Sequence, residues 1–331
     1  MSNAQIDVPL PMQPIRIVSL AAAVAVALGT TVLTATPALA GPLSATPTPT
    51  PTATPTPTPA PIAGEPWATA LGQLRGHSAY ERHVTITGTG FLAAPGVSAG
   101  LAAVLVDGTA ADDLVVSSDT SATFLMGAAP AFQPGSVTLT LESNDDVSVP
   151  TALTFTYIAT NRRDKELAYA GTHWALTSSA RFGYIFGNDC ADFTSQLLLA
   201  RGWKQSSQWY DRGADPKSKR PVASSSWISS TAMSDWLHGR PDLAKHLGYS
   251  QADRDQVVVG DIVQFDWDSK ATPGVWQHTA VVSKIVTLPN GHHDFYYTAH
   301  TTNRLFGGTV GALIASGYYP HLHTQFWHLK K

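Results

Sequence analysis

The chain of 331 residues contains a single cysteine. It is Cys190, in the stretch NDCADFTSQ. A thiol with no partner is either a small buried hydrophobe or a free reactive group. The stretch DCADFTSQLLLARGW reads as a helix whose Phe193, Leu197, Leu198 and Ala200 can face a core. Asn188 and Asp189 are its cap candidates and Gly202 its stop. Cys190 then falls in the first turn, where the macrodipole and free N–H groups favour a thiolate.

A nucleophilic thiol needs a base, and the base needs something to orient it. Candidates stand downstream. VVVGDIVQFDW reads as a buried strand entered through a Gly-Asp turn, and WQHTAVVSKIV as a second strand carrying His278. HDFYYTAHT reads as a third, ending near His300 and followed by Asn303. A lone histidine on a strand is more often structural. Here, though, the order is a helix with a thiol, a strand with an imidazole and a strand with a polar end. That is the papain-like arrangement. His300 is the first choice for the orienter, because the chain turns back through Gly291 and lays its strand beside that of His278. Asn303 is its competitor. The pairs His292-His293 and His321/His323 form no zinc pattern, so no metal and no cofactor is expected.

Other elements must hold these side chains in place. NRRDKELAYAGTHWAL has helical spacing, with Leu167, Ala170, Trp174 and Leu176 on one face. A loop, SSARFGYIFG, leads from it to the cysteine. Ahead of this helix, residues 83–157 read as short strands: HVTITGTGF, LAAVLVDG, ADDLVVSS, SATFLMG, GSVTLTLES and ALTFTYI. Gly, Asp, Ser and Pro separate them, the rhythm of an all-β sandwich. Further forward, Pro42 to Pro66 is a Thr/Pro run that cannot pack a core and reads as a semi-rigid spacer. At the front, an apolar run from Ile17 to Gly29 is too short to span a bilayer. Ala38-Leu39-Ala40 follows it as a signal-peptidase site, the alternative being a membrane anchor.

The strand blocks VTITGTGF, GSVTLTL and LTFTY resemble an IPT/TIG immunoglobulin-like domain, which implies a spacer or a binding module. The region from Asn161 to Gly307 resembles the Putative amidase domain family, a papain-like group related to NlpC-type and CHAP cysteine peptidases of bacterial cell walls. The resemblance rests on ELAYAGTHW, GNDCADFTSQ, SSSWISSTAMSDWL, VGDIVQFDW, WQHTAVVSKI and TAHTTNR, in family order. It implies Cys190 as nucleophile and His278 as its base. The family commonly has Thr-Asn after the cysteine, where this chain has Ala191-Asp192. Asp189 either caps the helix or binds a peptide's free amine, as its counterpart does in NlpC-type enzymes. The backbone N–H of Cys190 belongs to the expected oxyanion hole. Its second donor is not visible in the sequence, and Tyr184 and Asn188 are the candidates. Trp227, Trp236, Trp267 and Trp276 either line a groove or pack the core.

The expected fold is multidomain: an all-β immunoglobulin-like sandwich followed by an α+β papain-like cysteine hydrolase domain. The expected segments are a signal peptide at 1–40, a linker at 41–66, the sandwich at 67–158 and the amidase domain at 159–331. A net charge of −3 with 14% charged residues excludes a nucleic-acid binder and offers no polybasic patch for a membrane. The expected activity is cysteine-dependent hydrolysis of an amide bond in cell-wall peptide, secreted or wall-associated, with no membrane in the mature form. The rival is a surface-binding or adhesion protein whose papain-like domain is inactive.

Overall fold

The computed structural model describes residues 59–175, 181–183, 185 and 187–330. The expected signal peptide, residues 41–58 of the expected linker, Leu176 and Tyr184 lie outside the described residues.

The first half is mostly strand. β1 (Trp67–Leu71), β2 (Arg75–His77), β3 (Arg82–Thr89), β4 (Leu101–Val106), β5 (Thr109–Ala110), β6 (Asp112–Ser118), β7 (Ser121–Met126), β8 (Gly135–Ser143) and β9 (Ser148–Ile158) follow in turn. They form two sheets, ordered β1-β3-β7-β6 and β2-β9-β8-β4-β5. Alternating apolar residues send Val84, Ile86, Phe124, Leu139, Leu141 and Phe155 into one core. The sequence-predicted strands lie on β3, β4, β6, β7, β8 and β9.

The second half mixes helices with one large sheet. α1 (Arg162–His173) starts at a capping box: Asn161 accepts from the Asp164 N–H, and Asp164 accepts from the Asn161 N–H. α2 (Cys190–Arg201) ends at Gly202, whose φ of 102° is the left-handed cap that glycine adopts without strain. A short ribbon, β10 (Asp211–Ala214) and β11 (Pro221–Ala223), leads to α3 (Ser225–Ile228) and α4 (Ser230–His238). Then come β12 (Ala244–Leu247), α5 (Gln251–Arg254), β13 (Ile262–Asp266), β14 (His278–Thr287), β15 (His293–Ala299), β16 (Arg304–Gly307), α6 (Val310–Ala315) and β17 (His323–Leu329). The sheet runs β12-β17-β13-β14-β15-β16, antiparallel throughout. The three expected strands are its neighbours β13, β14 and β15.

α2 differs from the one-faced helix expected. Every residue from Cys190 to Leu198 is buried, polar ones included, while Ala200 is only half-buried. The polar ones are satisfied internally: Thr194 Oγ1 donates to the Cys190 carbonyl, Ser195 Oγ to the Trp227 carbonyl, and Gln196 Nε2 to Asp192.

α1 also joins the two halves. His77 Nδ1 lies 2.6 Å from Asp164 Oδ2, and Gln133 Nε2 donates to the Ala168 carbonyl at 2.8 Å. Gly171 sits so close to the turn at Ala131 that a Cβ there would be 1.7 Å from the Ala131 carbonyl oxygen. Phe132 packs on Phe306 with ring centres 5.2 Å apart.

Candidate active site

Cys190 opens α2, and its thiol is 2% exposed. α2 is wedged between α1 and the sheet, with Phe193 and Leu197 against Leu167, Ala170 and Val281. This packing brings the helix start against the start of β14. The backbone N–H groups of Thr279 and Ala191 and the hydroxyl of Thr301 hydrogen-bond the sulfur. His278 immediately precedes Thr279, so nucleophile and candidate base flank one peptide unit.

Their electrostatics depart from the expectation of a helix-start thiolate. Burial pushes the Cys190 thiol up, against those three hydrogen bonds, and the nearby charge of Asp189 adds to the rise. Desolvation is the largest influence on the sulfur, and it favours the thiol over the thiolate. Burial also pushes His278 down, to about 4, helped by the positive charge of Arg304 and opposed by Asp189. Its ring packs beside the stacked pair Phe265 and Trp267, 5.8 Å from each between centres. It makes no side-chain hydrogen bond to Cys190 among the described residues. The neutral imidazole thus precedes, by one residue, the Thr279 N–H that faces the thiol.

His300 does not take the orienter's place. Its Nδ1 is 2.9 Å from Asp189 Oδ2 and its Nε2 is 2.9 Å from the His173 carbonyl, so both ring nitrogens are engaged away from His278. Phe193 stacks on the ring at 3.8 Å. Asp189 is the N-cap of α2 by position but makes no capping hydrogen bond, because its carboxylate is turned to His300. Asn303 is half-buried and its side chain has no hydrogen bond among the described residues. Asn188 is exposed, its N–H donating to the Ile185 carbonyl at 3.2 Å. Trp276 is buried, its ring 5.4 Å from that of His323, while Trp227, Trp236 and Trp209 pack a core.

Sequence reasoning missed two parts of the site. The first is Thr301, an exposed β-branched residue at φ 77° that reaches the thiol. Left-handed backbone is costly for such a residue, and nothing in the string TAHTTNR signals it. The second is the seat of Asp192. Trp227 Nε1 donates to its Oδ1 at 2.6 Å and Gln196 Nε2 to its Oδ2 at 2.9 Å, and Gln196 in turn accepts from Tyr169. Burial pushes Asp192 up to about 7 against these bonds, with Asp211 and Asp189 adding to the rise. The departure from the family's Asn is therefore a buried carboxyl two residues from the nucleophile.

These features define a two-domain, mostly β chain: an immunoglobulin-like sandwich, then a helix-and-sheet domain with a thiol at a helix start. Residues 160–314 match the family described as Putative amidase domain, and residues 73–157 match the IPT/TIG domain, in that order. The match places amide hydrolysis in the second domain. No curated protein matches the chain. Among solved structures, the full extracellular region of Plexin A4 is similar at 17% identity over 28% of this chain and 8% of that one, with a TM-score of 0.23. A Bacteroides ovatus mixed-linkage glucan utilization locus protein, SGBP-B, in complex with a mixed-linkage heptasaccharide is similar at 11% identity. That similarity covers 81% of this chain and 51% of that one, with a TM-score of 0.21. At such scores neither bears on fold or function.

Proposed function

We propose that the chain is a secreted, cysteine-dependent amidase or peptidase acting on cell-wall peptide. The observation that carries this reading is the meeting of Cys190, at the start of α2, with the Thr279 peptide unit that follows His278. Export and the wall as location rest on the apolar run, the Ala38-Leu39-Ala40 site and the Thr/Pro spacer. The papain-like character of the domain rests on the order of helix thiol and strand imidazole.

As the Cys190 sulfur forms its bond to the amide carbon, His278 takes the thiol proton. The nitrogen leaves with that proton, giving a thioester and a free amine. His278 then removes a proton from water as it attacks the thioester; the acid is released and the proton returns to sulfur. Keeping His278 neutral suits this sequence, because a protonated ring could not start it. His300 serves as a positioning residue that fixes Asp189 and the helix start.

Release of new amines or peptide ends from purified wall, identified by mass spectrometry, tests the reading. Cys190→Ala should abolish release while leaving thermal unfolding within about 1 kcal/mol of the parent. Release by that variant would end the proposal. The buried thiol keeps a second reading in play, a binding protein with a silent hydrolase domain. Undiminished wall binding by a parent protein that releases nothing would favour it.

A further inference from the structure

Away from the thiol, a cleft of about 920 Å³ lies between the sandwich and the second domain, and Cys190, His278 and His300 do not line it. That volume is at the upper end of small-molecule sites, which favour domain junctions. Its floor is apolar, with Leu125, Phe132 and Val137 from the sandwich side and Ile285 and Phe306 from the other. The two halves are pinned beside it by the His77–Asp164 and Gln133–Ala168 bonds, so the cleft is built by the fold.

Its charges are sorted by wall. Glu81, Asp107 and Asp112 come from the sandwich, and Arg163 and Lys284 from the second domain. None of the five is in an ion pair among the described residues, so neither wall neutralises the other. Two donors on the second wall lack a hydrogen-bond acceptor: Ser283 Oγ, on a side chain 2% exposed, and Nε of Arg163, whose guanidinium lies over the Tyr80 ring at 5.4 Å. A buried donor left unsatisfied costs free energy that a ligand acceptor would restore.

We propose that this cleft binds a short apolar peptide with both ends free, its carboxylate on Arg163 and Ser283 and its ammonium facing Glu81, Asp107 and Asp112. An apolar body satisfies the floor, and a charge at each end matches walls of opposite sign. A fatty acid would leave the acidic wall unanswered, and an amine alone would leave the buried donors so. The site is separate from the thiol and does not depend on the hydrolytic reading.

Calorimetric titration of the Cys190→Ala protein with Ala-Val-Ala tests this without turnover. Saturable one-to-one binding is expected. Acetylating the amine or amidating the carboxyl should each weaken it about tenfold, the worth of one charge-assisted contact. Arg163→Gln should weaken the free acid but not the amide. Lys284→Gln, at an exposed position with no fold to lose, should act in the same direction. Ala110→Trp, on the sandwich lip, should block binding. No saturable binding at millimolar peptide, equal affinity for the doubly blocked peptide, or full binding by Ala110→Trp would overturn the proposal.

Discussion

His300 Nδ1 meets Asp189 Oδ2 at 2.9 Å, tying the end of β15 to the residue that precedes the thiol. The other ring nitrogen meets the His173 carbonyl, which adds the end of α1 to the same clamp. Both partners are oxygens, so each ring nitrogen is engaged by an acceptor at the helix start or at the end of α1. A histidine that looks like a catalytic orienter in sequence is spent on holding the helix start.

The clamp predicts a coupled loss. His300→Ala strands a buried carboxylate and should cost about 1–3 kcal/mol of stability. Asp189→Ala in that background should cost little more, because the bond is already gone. Chemical unfolding of the two single variants and the double gives the coupling directly. Strictly additive losses would show that the pair is not a unit.

The pH dependence of activity should report a depressed base. His278 sits at about 4, so it is already neutral well below the ordinary imidazole range. Hydrolysis should persist as pH falls through 6.5 and fail only toward about 4. An acid limb of kcat/KM centred near 6.5 would show that the ring is more open to water than its packing on Phe265 and Trp267 implies. On the alkaline side, alkylation of Cys190 by iodoacetamide should be slow at neutral pH and keep rising past pH 9, since burial lifts the thiol above that value.

Much of the framework is legible in local sequence. The run GSVTLTLES is β8, residue for residue, because period-2 alternation and its bounding turns are local signals. Gly202 marks a helix end for the same reason. The central strand β17 went unread, since its place between β12 and β13 is fixed only by long-range pairing. The thiol's environment was misread because the helix-start effect is visible in a string of letters, whereas desolvation depends on what packs above it. The contacts of His300 are not legible in the sequence for a related reason. Strand order shows that it nears the site, but only three-dimensional packing shows that Asp189 and the His173 carbonyl reach it first.

Asp192 gives a stability effect of definite sign. Its folded value of about 7 lies above the ordinary 3.8, so between those values the folded chain holds a proton that the unfolded chain has lost. Its contribution is therefore full below about pH 4 and is lost as pH rises through 7. His278 works the other way, its contribution present above 6.5 and lost as pH falls toward 4. Asp192→Asn keeps the shape and removes the titration, with Gln196 able to turn over and accept. The variant should match the parent near pH 4 and exceed it at pH 8 by on the order of 1–3 kcal/mol. A constant offset across that range would place the titration elsewhere.

Gly171 sets two effects against each other. It lies within α1, where replacing glycine by alanine ordinarily stabilises a helix by about 0.8–1 kcal/mol. Here the added Cβ would stand 1.7 Å from the Ala131 carbonyl oxygen and 2.6 Å from its carbon, both backbone atoms. Backbone cannot swing aside as a side chain can, so α1 must back away from the sandwich or the turn at Ala131 must shift. Either movement disturbs the Gln133–Ala168 bond beside it. Overpacking of this kind costs about 1–3 kcal/mol and should outweigh the propensity gain. Gly171→Ala should therefore lower the Tm, and Gly171→Ser, slightly larger and a poorer helix former, should lower it further. A rise in Tm for the alanine variant would mean that the sandwich and α1 are not pressed together at this point.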